Sequence, residues 1–236
     1  MPNVLITGAN RGIGFELTRQ YVADGWHVFA TCRSIIASEA LENMEKEHDE
    51  LRVFELDVTD HGAVDALAET LADTPLDVLI NNAGTIGGKS FQEGVGDQQF
   101  GSMDYQVWAR AFAVNTMAPL KFAEAFAGHL GTGSEKKLVT ISSHMGSMTL
   151  MDGGLYTYRS SKAAVNAVMK ALSMELKDRG ITVALMHPGW VRTDMGTEAA
   201  EISVSESASG LRSVIAGLGL EDSGRFLSYE GKEIPW

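Results

Sequence analysis

Cysteine is almost missing: Cys32 stands alone among 236 residues. A single thiol excludes an internal disulfide framework and a thiolate zinc centre. The six histidines show no ligand spacing either, so no metal is expected. Proline numbers only five, and no Pro/Ser-rich linker divides the chain, so one folded domain over residues 1–236 is expected. Positive charge is scarce, with 19 Lys and Arg against 31 Asp and Glu, for a formal net charge of −12. That balance argues against a general electrostatic grip on nucleic acid or anionic membrane. Long apolar runs are absent as well. The first, Val4-Leu5-Ile6, is far too short for the core of a signal peptide, and no 18-residue stretch follows. Cytoplasm is the expected compartment.

What is present is a rhythm. Short β-branched runs occur at Val4–Thr7, His27–Cys32, Leu51–Asp57, Leu76–Asn82, Lys137–Ser142, Ile181–His187 and Gly224–Ser228. Helical spacing fills the intervals Gly12–Ala23, Ser38–Glu47, Gly62–Ala72, Asp104–His129, Tyr158–Arg179 and roughly Ser205–Leu218. Strands such as Val78-Leu79-Ile80 are apolar on both faces, which belongs inside a parallel sheet covered by helices on each side. Alternating β and α units predict an α/β fold, a doubly wound parallel sheet of about seven strands. Two segments break the rhythm. The glycine-rich Thr85–Gly101 and the Ser/Glu/Ala-rich Thr193–Ser209 both follow strands, at the sheet edge where such folds bind ligands. Loops this long are functional or disordered more often than idle, and tolerated surface insertion is the lesser alternative.

The first strand runs into Thr7-Gly8-Ala9-Asn10-Arg11-Gly12-Ile13-Gly14, which opens the first helix. Missing Cβ atoms permit a tight turn and close backbone approach to a ligand. The helix start adds unpaired N–H groups and a partial positive charge, which suits a diphosphate. Turns also need glycine, but the order strand, turn, helix points to a dinucleotide. The spacing is Gly-x3-Gly-x-Gly, a variant of the commoner fingerprint.

This turn resembles that of the short-chain dehydrogenase/reductase family. Further matches follow in the family's order: Asn81-Asn82-Ala83-Gly84, Asn115, Ser143, Tyr158-x3-Lys162 and Pro188-Gly189. The segment His187-Pro188-Gly189-Trp190-Val191-Arg192-Thr193-Asp194-Met195 and the ending Ile234-Pro235-Trp236 resemble carbonyl reductases of the sniffer and C-factor type. The resemblance implies a Rossmann-like fold and an oxidoreductase that reduces an aldehyde or ketone. It implies Tyr158 as proton donor, Ser143 as the hydrogen bond to the carbonyl oxygen, and Lys162 as ribose ligand and tuner of Tyr158. Asn115 would secure a water feeding protons towards Lys162. For the cofactor it implies Thr7, Gly8, Asn10, Arg11, Gly12, Ile13 and Gly14 in the turn. Asp57 and Val58 would lie at the adenine, and Asn82, Ala83 and Gly84 along the ribose. Pro188, Gly189, Val191 and Thr193 would hold the carboxamide. Family members usually pair through the helices bearing Asn115 and Tyr158, so a homodimer or homotetramer is implied.

The residues carry part of this independently. Tyr158 and Lys162 are four apart on one helical face, where a neighbouring ammonium favours the phenolate. Such a pair alone is also an ordinary surface contact. Tyr156 is a competitor at thirteen residues from Ser143, but Lys162 would lie about 240° around a helix from it. Geometry therefore selects Tyr158, and Ser142 is the weaker alternative to Ser143. His144 beside the serine suggests a hydrolase pair, yet no Gly-x-Ser-x-Gly elbow exists. Asp57 could instead serve locally, accepting N–H bonds before the next helix.

Cofactor choice rests on the end of the second strand. Where NAD sites place an acid, this chain has Cys32, and Arg33 follows. With Arg11 in the turn, two cations offer themselves to a 2′-phosphate, so NADPH is expected over NADH. Either arginine could be a solvated surface charge. Met145, Met148, Trp190 and Met195 flank the motifs as a candidate apolar pocket wall. The competing reading is a dinucleotide-binding signalling or regulatory protein of C-factor type with little turnover.

Overall fold

The computed structural model describes residues 1–36, 38–88 and 96–236. Its seven strands form one parallel sheet: β1 (Asn3–Thr7), β2 (His27–Cys32), β3 (Leu51–Glu55), β4 (Val78–Asn81), β5 (Lys137–Ile141), β6 (Thr182–His187) and β7 (Phe226–Ser228). Their order is β3-β2-β1-β4-β5-β6-β7, which is a doubly wound Rossmann-like fold. The register sets Leu5 beside Phe29 of β2 and Leu79 of β4.

Strand alternation sorts the apolar residues between two cores. Val4, Ile6, Val78, Ile80, Val139 and Ile141 pack with Leu17, Leu41 and Leu211, beneath α1 (Gly12–Ala23), α2 (Glu39–Glu47) and α7 (Val204–Gly217). Leu5, Leu79, Leu138 and Val183 pack with Val64, Phe122 and Val165, beneath α3 (His61–Thr70), α5 (Ala118–Thr132) and α6 (Tyr156–Glu175). Burying each such side chain contributes roughly 1.5–3 kcal/mol. That is why these runs cannot slip register without exposing a face. Among the described residues, no helix is long and apolar enough to cross a membrane.

Several boundaries differ from expectation, each for a local reason. The third strand stops at Glu55, because the Asp57 carboxylate accepts bonds from Thr59 N and Oγ1 (2.9 and 2.8 Å) and turns the chain. The seventh begins at Phe226, since Gly224 lies in the left-handed region at φ +84°. The helix expected over Asp104–His129 is three pieces: α4 (Tyr105–Phe112), a π turn (Ala113–Met117) and α5. Pro119 has no N–H to offer the Asn115 carbonyl, so the ladder widens there. The helix expected from Tyr158 to Arg179 begins at Tyr156, ends at Glu175, and is followed by a 3₁₀ turn at Lys177–Arg179.

The crossover between β1 and β4 directs the following segments to opposite sides of the sheet's carboxyl edge. A crevice opens there. The candidate residues collect around it.

Candidate active site

The glycine turn is locked to the end of β4. Thr7 Oγ1 accepts from the backbone N–H groups of Asn82 and Ala83, both at 3.0 Å. The Asn82 amide returns bonds to the carbonyls of Thr7 and Gly8 at 2.9 and 3.1 Å. Gly8 adopts φ +68°, and a Cβ there would stand 2.8 Å from Ala83 Cα. A Cβ at Gly14 would stand 2.3 Å from the Gly8 carbonyl oxygen and 2.4 Å from Asn82 Nδ2. Only glycine permits this packing. Arg11 occupies the N-cap of α1 without a side-chain cap bond, which leaves first-turn N–H groups facing the crevice end of the helix. A Cβ-free cradle ending in uncapped N–H groups is chemically suited to a diphosphate.

The second group lies on α6 and the end of β5. Tyr158 is 8% exposed and Tyr156 is 42% exposed. Helical spacing brings Lys162 under Tyr158, its ammonium 5.9 Å from the ring centroid. Ser143 follows β5 in extended backbone, its Oγ accepting from Met145 N at 3.1 Å. The Ser143 hydroxyl lies close enough to the Tyr158 phenol to favour its ionised form. Burial pushes the Tyr158 phenol up, and the nearby Ser143 hydroxyl only partly offsets this. The expected lowering by Lys162 is therefore not what this arrangement produces. Lys162 donates instead to the Ile141 carbonyl at 2.9 Å, and burial pulls its own ammonium down to about 8. A phenol held protonated is in the state a proton donor requires.

Asn115 sits in the π turn, 1% exposed. Its Oδ1 accepts from Thr85 N (2.8 Å), while its Nδ2 donates to the Thr85 carbonyl (2.8 Å) and to Ser161 Oγ (2.9 Å). It thus clamps the segment after β4 to α6. A Cβ at Gly84 would lie 3.4 Å from Asn115 Oδ1 and 3.6 Å from Lys162 Nζ, so these three meet at one point.

The cofactor candidates are less uniformly gathered. Arg33 is exposed at the end of β2 and contributes favourably to the Asp57 carboxylate. Burial raises the pKa of Asp57, but the bonds from Thr59 and the Arg110 and Arg33 charges outweigh it and leave the group lowered. Val58 is buried in the core beneath α3 and α5. Arg11 does not stand free for a phosphate; it pairs with Asp194 at 2.6 Å. Thr193 also reaches the turn, with its Cγ2 3.3 Å from where a Gly12 Cβ would be. Val191 bridges to Ile202, and the Pro188 carbonyl accepts from Ser207 Oγ at 2.6 Å, which anchors the segment after β6. Asn10 is tied through its carbonyl to Ser38 Oγ at 3.0 Å. Of the pocket-wall candidates, Met148 is exposed, and Trp190 donates from Nε1 to the Gly196 carbonyl at 2.7 Å.

One supporting residue, Gln98, carries no sequence signal of its own. Gln98, fully buried, gives α6 the cap that Leu155 cannot, accepting from Tyr158 N at 3.1 Å. It lies inside the segment expected to be a surface loop, of which residues 89–95 fall outside the described ones. Ser142 bonds to Asn166 at 2.6 Å, fixing β5 to α6. His144 pairs with His187, not with Ser143.

A family model described as short chain dehydrogenase matches residues 2–202. The chain belongs to that family of oxidoreductases. It is 40% identical over 172 residues to the C-signal of Myxococcus xanthus, covering 72% of this chain and 99% of that protein. The solved structure of the carbonyl reductase Sniffer of D. melanogaster superposes with TM-score 0.90 at 31% identity, covering 100% of both chains. An NADPH-bound carbonyl reductase from chicken fatty liver gives TM-score 0.88 at 33% identity, covering 100% of this chain and 99% of that one.

Proposed function

We propose that this short-chain dehydrogenase reduces the carbonyl of an aldehyde or ketone to an alcohol with NADPH, using Tyr158 as proton donor. The observation that carries the reading is the buried Ser143–Tyr158–Lys162 group at the mouth of the glycine cradle. When bound, NADPH supplies the hydride. Gly8, Asn10, Gly12, Ile13 and Gly14 would hold its diphosphate, with Thr7 and Asn82 shaping that cradle from behind. Ala83 and Gly84 would run along the ribose, Asp57 and Val58 along the adenine. Pro188, Gly189, Val191 and Thr193 would fix the nicotinamide amide, and Arg33 and Arg11 would meet the 2′-phosphate.

The protein's own part is positioning and proton supply. Ser143 Oγ and the Tyr158 hydroxyl, which lie near one another, give one carbonyl oxygen two partners and stabilise its developing negative charge. Tyr158 then passes its proton to that oxygen, and Lys162 beneath it stabilises the phenolate left behind. Asn115, meeting Lys162 beside Gly84, would hold a water that returns the proton. A purely dinucleotide-sensing protein would need the cradle but not this buried acid and ammonium.

The test is NADPH oxidation across aldehydes, ketones, diketones and quinones. Tyr158→Phe removes one hydroxyl, so NADPH binding should persist while turnover falls at least ~10²-fold. Near-normal turnover in Tyr158→Phe together with an inactive Tyr156→Phe would transfer the role to the other tyrosine.

A further inference from the structure

Asn166 lies on α6 four residues beyond Lys162, as Lys162 lies four beyond Tyr158, so the three share one face of the helix. It is 3% exposed. Its side chain bridges both ends of the segment that carries Ser143. At one end Ser142 Oγ stands 2.6 Å from Asn166 Oδ1, and at the other Asn166 Nδ2 donates to the Gly146 carbonyl at 3.2 Å. The second contact fixes which way the amide points, because a carbonyl oxygen accepts and never donates. Oδ1 therefore faces Ser142, whose hydroxyl is the donor.

Between those two anchors lies the 3₁₀ turn His144–Gly146, capped by Ser143. Gly146 N donates back to the Ser143 carbonyl at 2.8 Å, and Met145 N donates to Ser143 Oγ at 3.1 Å. With Met145 N filling one acceptor site on Oγ, the hydroxyl proton remains for an acceptor oxygen. Where that proton points thus depends on where the turn places Met145 N. Gly146 also seats directly on α6, since a Cβ there would stand 2.8 Å from the Lys162 carbonyl carbon. The Ile141 carbonyl, just before Ser142, is the acceptor of Lys162. One helix face therefore grips this segment, by Lys162 at its start and by Asn166 on both sides of Ser143.

We propose that Asn166 is the positioning residue for Ser143, holding the turn that aims the serine hydroxyl at the oxygen of the reacting carbonyl. This rests on the reductase reading above. Asparagine suits the task, because one planar amide supplies an acceptor on one side and a donor on the other. Aspartate keeps the acceptor and loses the donor, and leucine of similar size loses both. A misplacement of ~1 Å at a reacting group costs on the order of 10²-fold in rate. A residue that never touches substrate can therefore govern turnover through Ser143. Tyr158 sits on the helix itself and does not depend on this grip, so the loss is confined to the oxygen-holding hydroxyl.

The experiment follows single-turnover oxidation of NADPH by 4-nitrobenzaldehyde with enzyme in excess, alongside the NADPH Kd from fluorescence titration. Asn166→Leu and Asn166→Asp should each slow hydride transfer ~10–100-fold while the NADPH Kd stays within about twofold of wild type. Ser142→Ala cuts one bond and leaves the Gly146 anchor, so a loss of ~3–10-fold is expected. That variant decides the matter if the Asn166 proteins fail to fold. Each substitution is then placed in Ser143→Ala. With the serine hydroxyl gone its aim no longer counts, so the second substitution should slow that protein less than about twofold further. A merely structural lesion would instead multiply the two losses. Multiplied losses, no slowing in Ser142→Ala and Asn166→Asp, or NADPH affinity falling in step with the rate would overturn the inference and leave the reductase reading intact. Absence of NADPH oxidation by wild type, with 4-nitrobenzaldehyde and the rest of the carbonyl panel, would overturn both.

Discussion

Lys162 directs its ammonium at the carbonyl oxygen of Ile141, 2.9 Å away, from a position only 5% exposed. One hydrogen bond does not replace the hydration of a full charge, so burial lowers its pKa to about 8. The unfolded chain, with a lysine near ~10.4, binds this proton more tightly than the folded one. Below about pH 8 both states are protonated and the whole cost is present. As pH rises towards the unfolded value, the folded state sheds the proton first and the cost is relieved.

Wild type without added cofactor should therefore gain stability between neutrality and about pH 9.5, by about 2 kcal/mol, since each tenfold difference in proton affinity is worth ~1.4 kcal/mol. Lys162→Met has no such proton and should lack this rise. Denaturant unfolding of both proteins across that range checks it; parallel curves would mean that Lys162 is solvated.

The glycine cradle gives a steric prediction. Gly14→Ala places a methyl group 2.3 Å from the Gly8 carbonyl oxygen and 2.4 Å from Asn82 Nδ2. Neither can retreat cheaply, since Asn82 is bonded to Thr7 and Gly8 together. The turn must open, at a cost of about 1–3 kcal/mol. NADPH affinity should fall ~10-fold or more, measured by fluorescence titration, with a lowered melting temperature. Gly25→Ala is a control for its backbone alone, because it has φ +74° but open space around its Cβ. It should lose stability without losing cofactor affinity.

The contrast between those glycines indicates what the sequence can reveal. Strand positions and the sorting of Val4, Leu5 and Ile6 between two cores are legible, because period-two burial is written directly into residue type. The i,i+4 relation of Tyr158 and Lys162 is legible for the same reason, with a period of 3.6. Contacts that depend on where two distant loops come to rest are not. Gln98 capping Tyr158 and Arg11 turning to Asp194 involve partners 60 and 183 residues away, with no periodic pattern to reveal them. The π turn at Asn115 leaves one trace, Pro119, whose missing N–H marks the place where the ladder has to change. The direction in which the Tyr158 phenol moves runs against the sequence expectation, because spacing reports proximity of charge and not the desolvation that outweighs it.

Cofactor selectivity offers the last prediction, and the geometry changes how it should be tested. Cys32 is 2% exposed and packs in the core beneath α1 and α2. An aspartate there would bury a carboxylate, so a fold defect would be confounded with selectivity. Arg33 is the exposed neighbour, and its replacement leaves the core untouched. A charge-assisted contact to a 2′-phosphate is worth about 1.5–3 kcal/mol, so Arg33→Ala should raise the KM for NADPH roughly ten- to hundredfold and barely alter that for NADH. Arg11 is a different case, because Asp194 already holds its guanidinium at 2.6 Å. If the phosphate must compete for Arg11, Asp194→Asn should lower the NADPH KM by about 2–5-fold, the scale of a surface ion pair, and leave NADH unchanged. Raising salt should erase that gain, since both side chains of the pair are largely exposed. Steady-state kinetics with both cofactors at matched ionic strength decide the matter. Equal effects of Arg33→Ala on NADPH and NADH, or a wild type that prefers NADH, would remove the phosphate from this edge of the sheet.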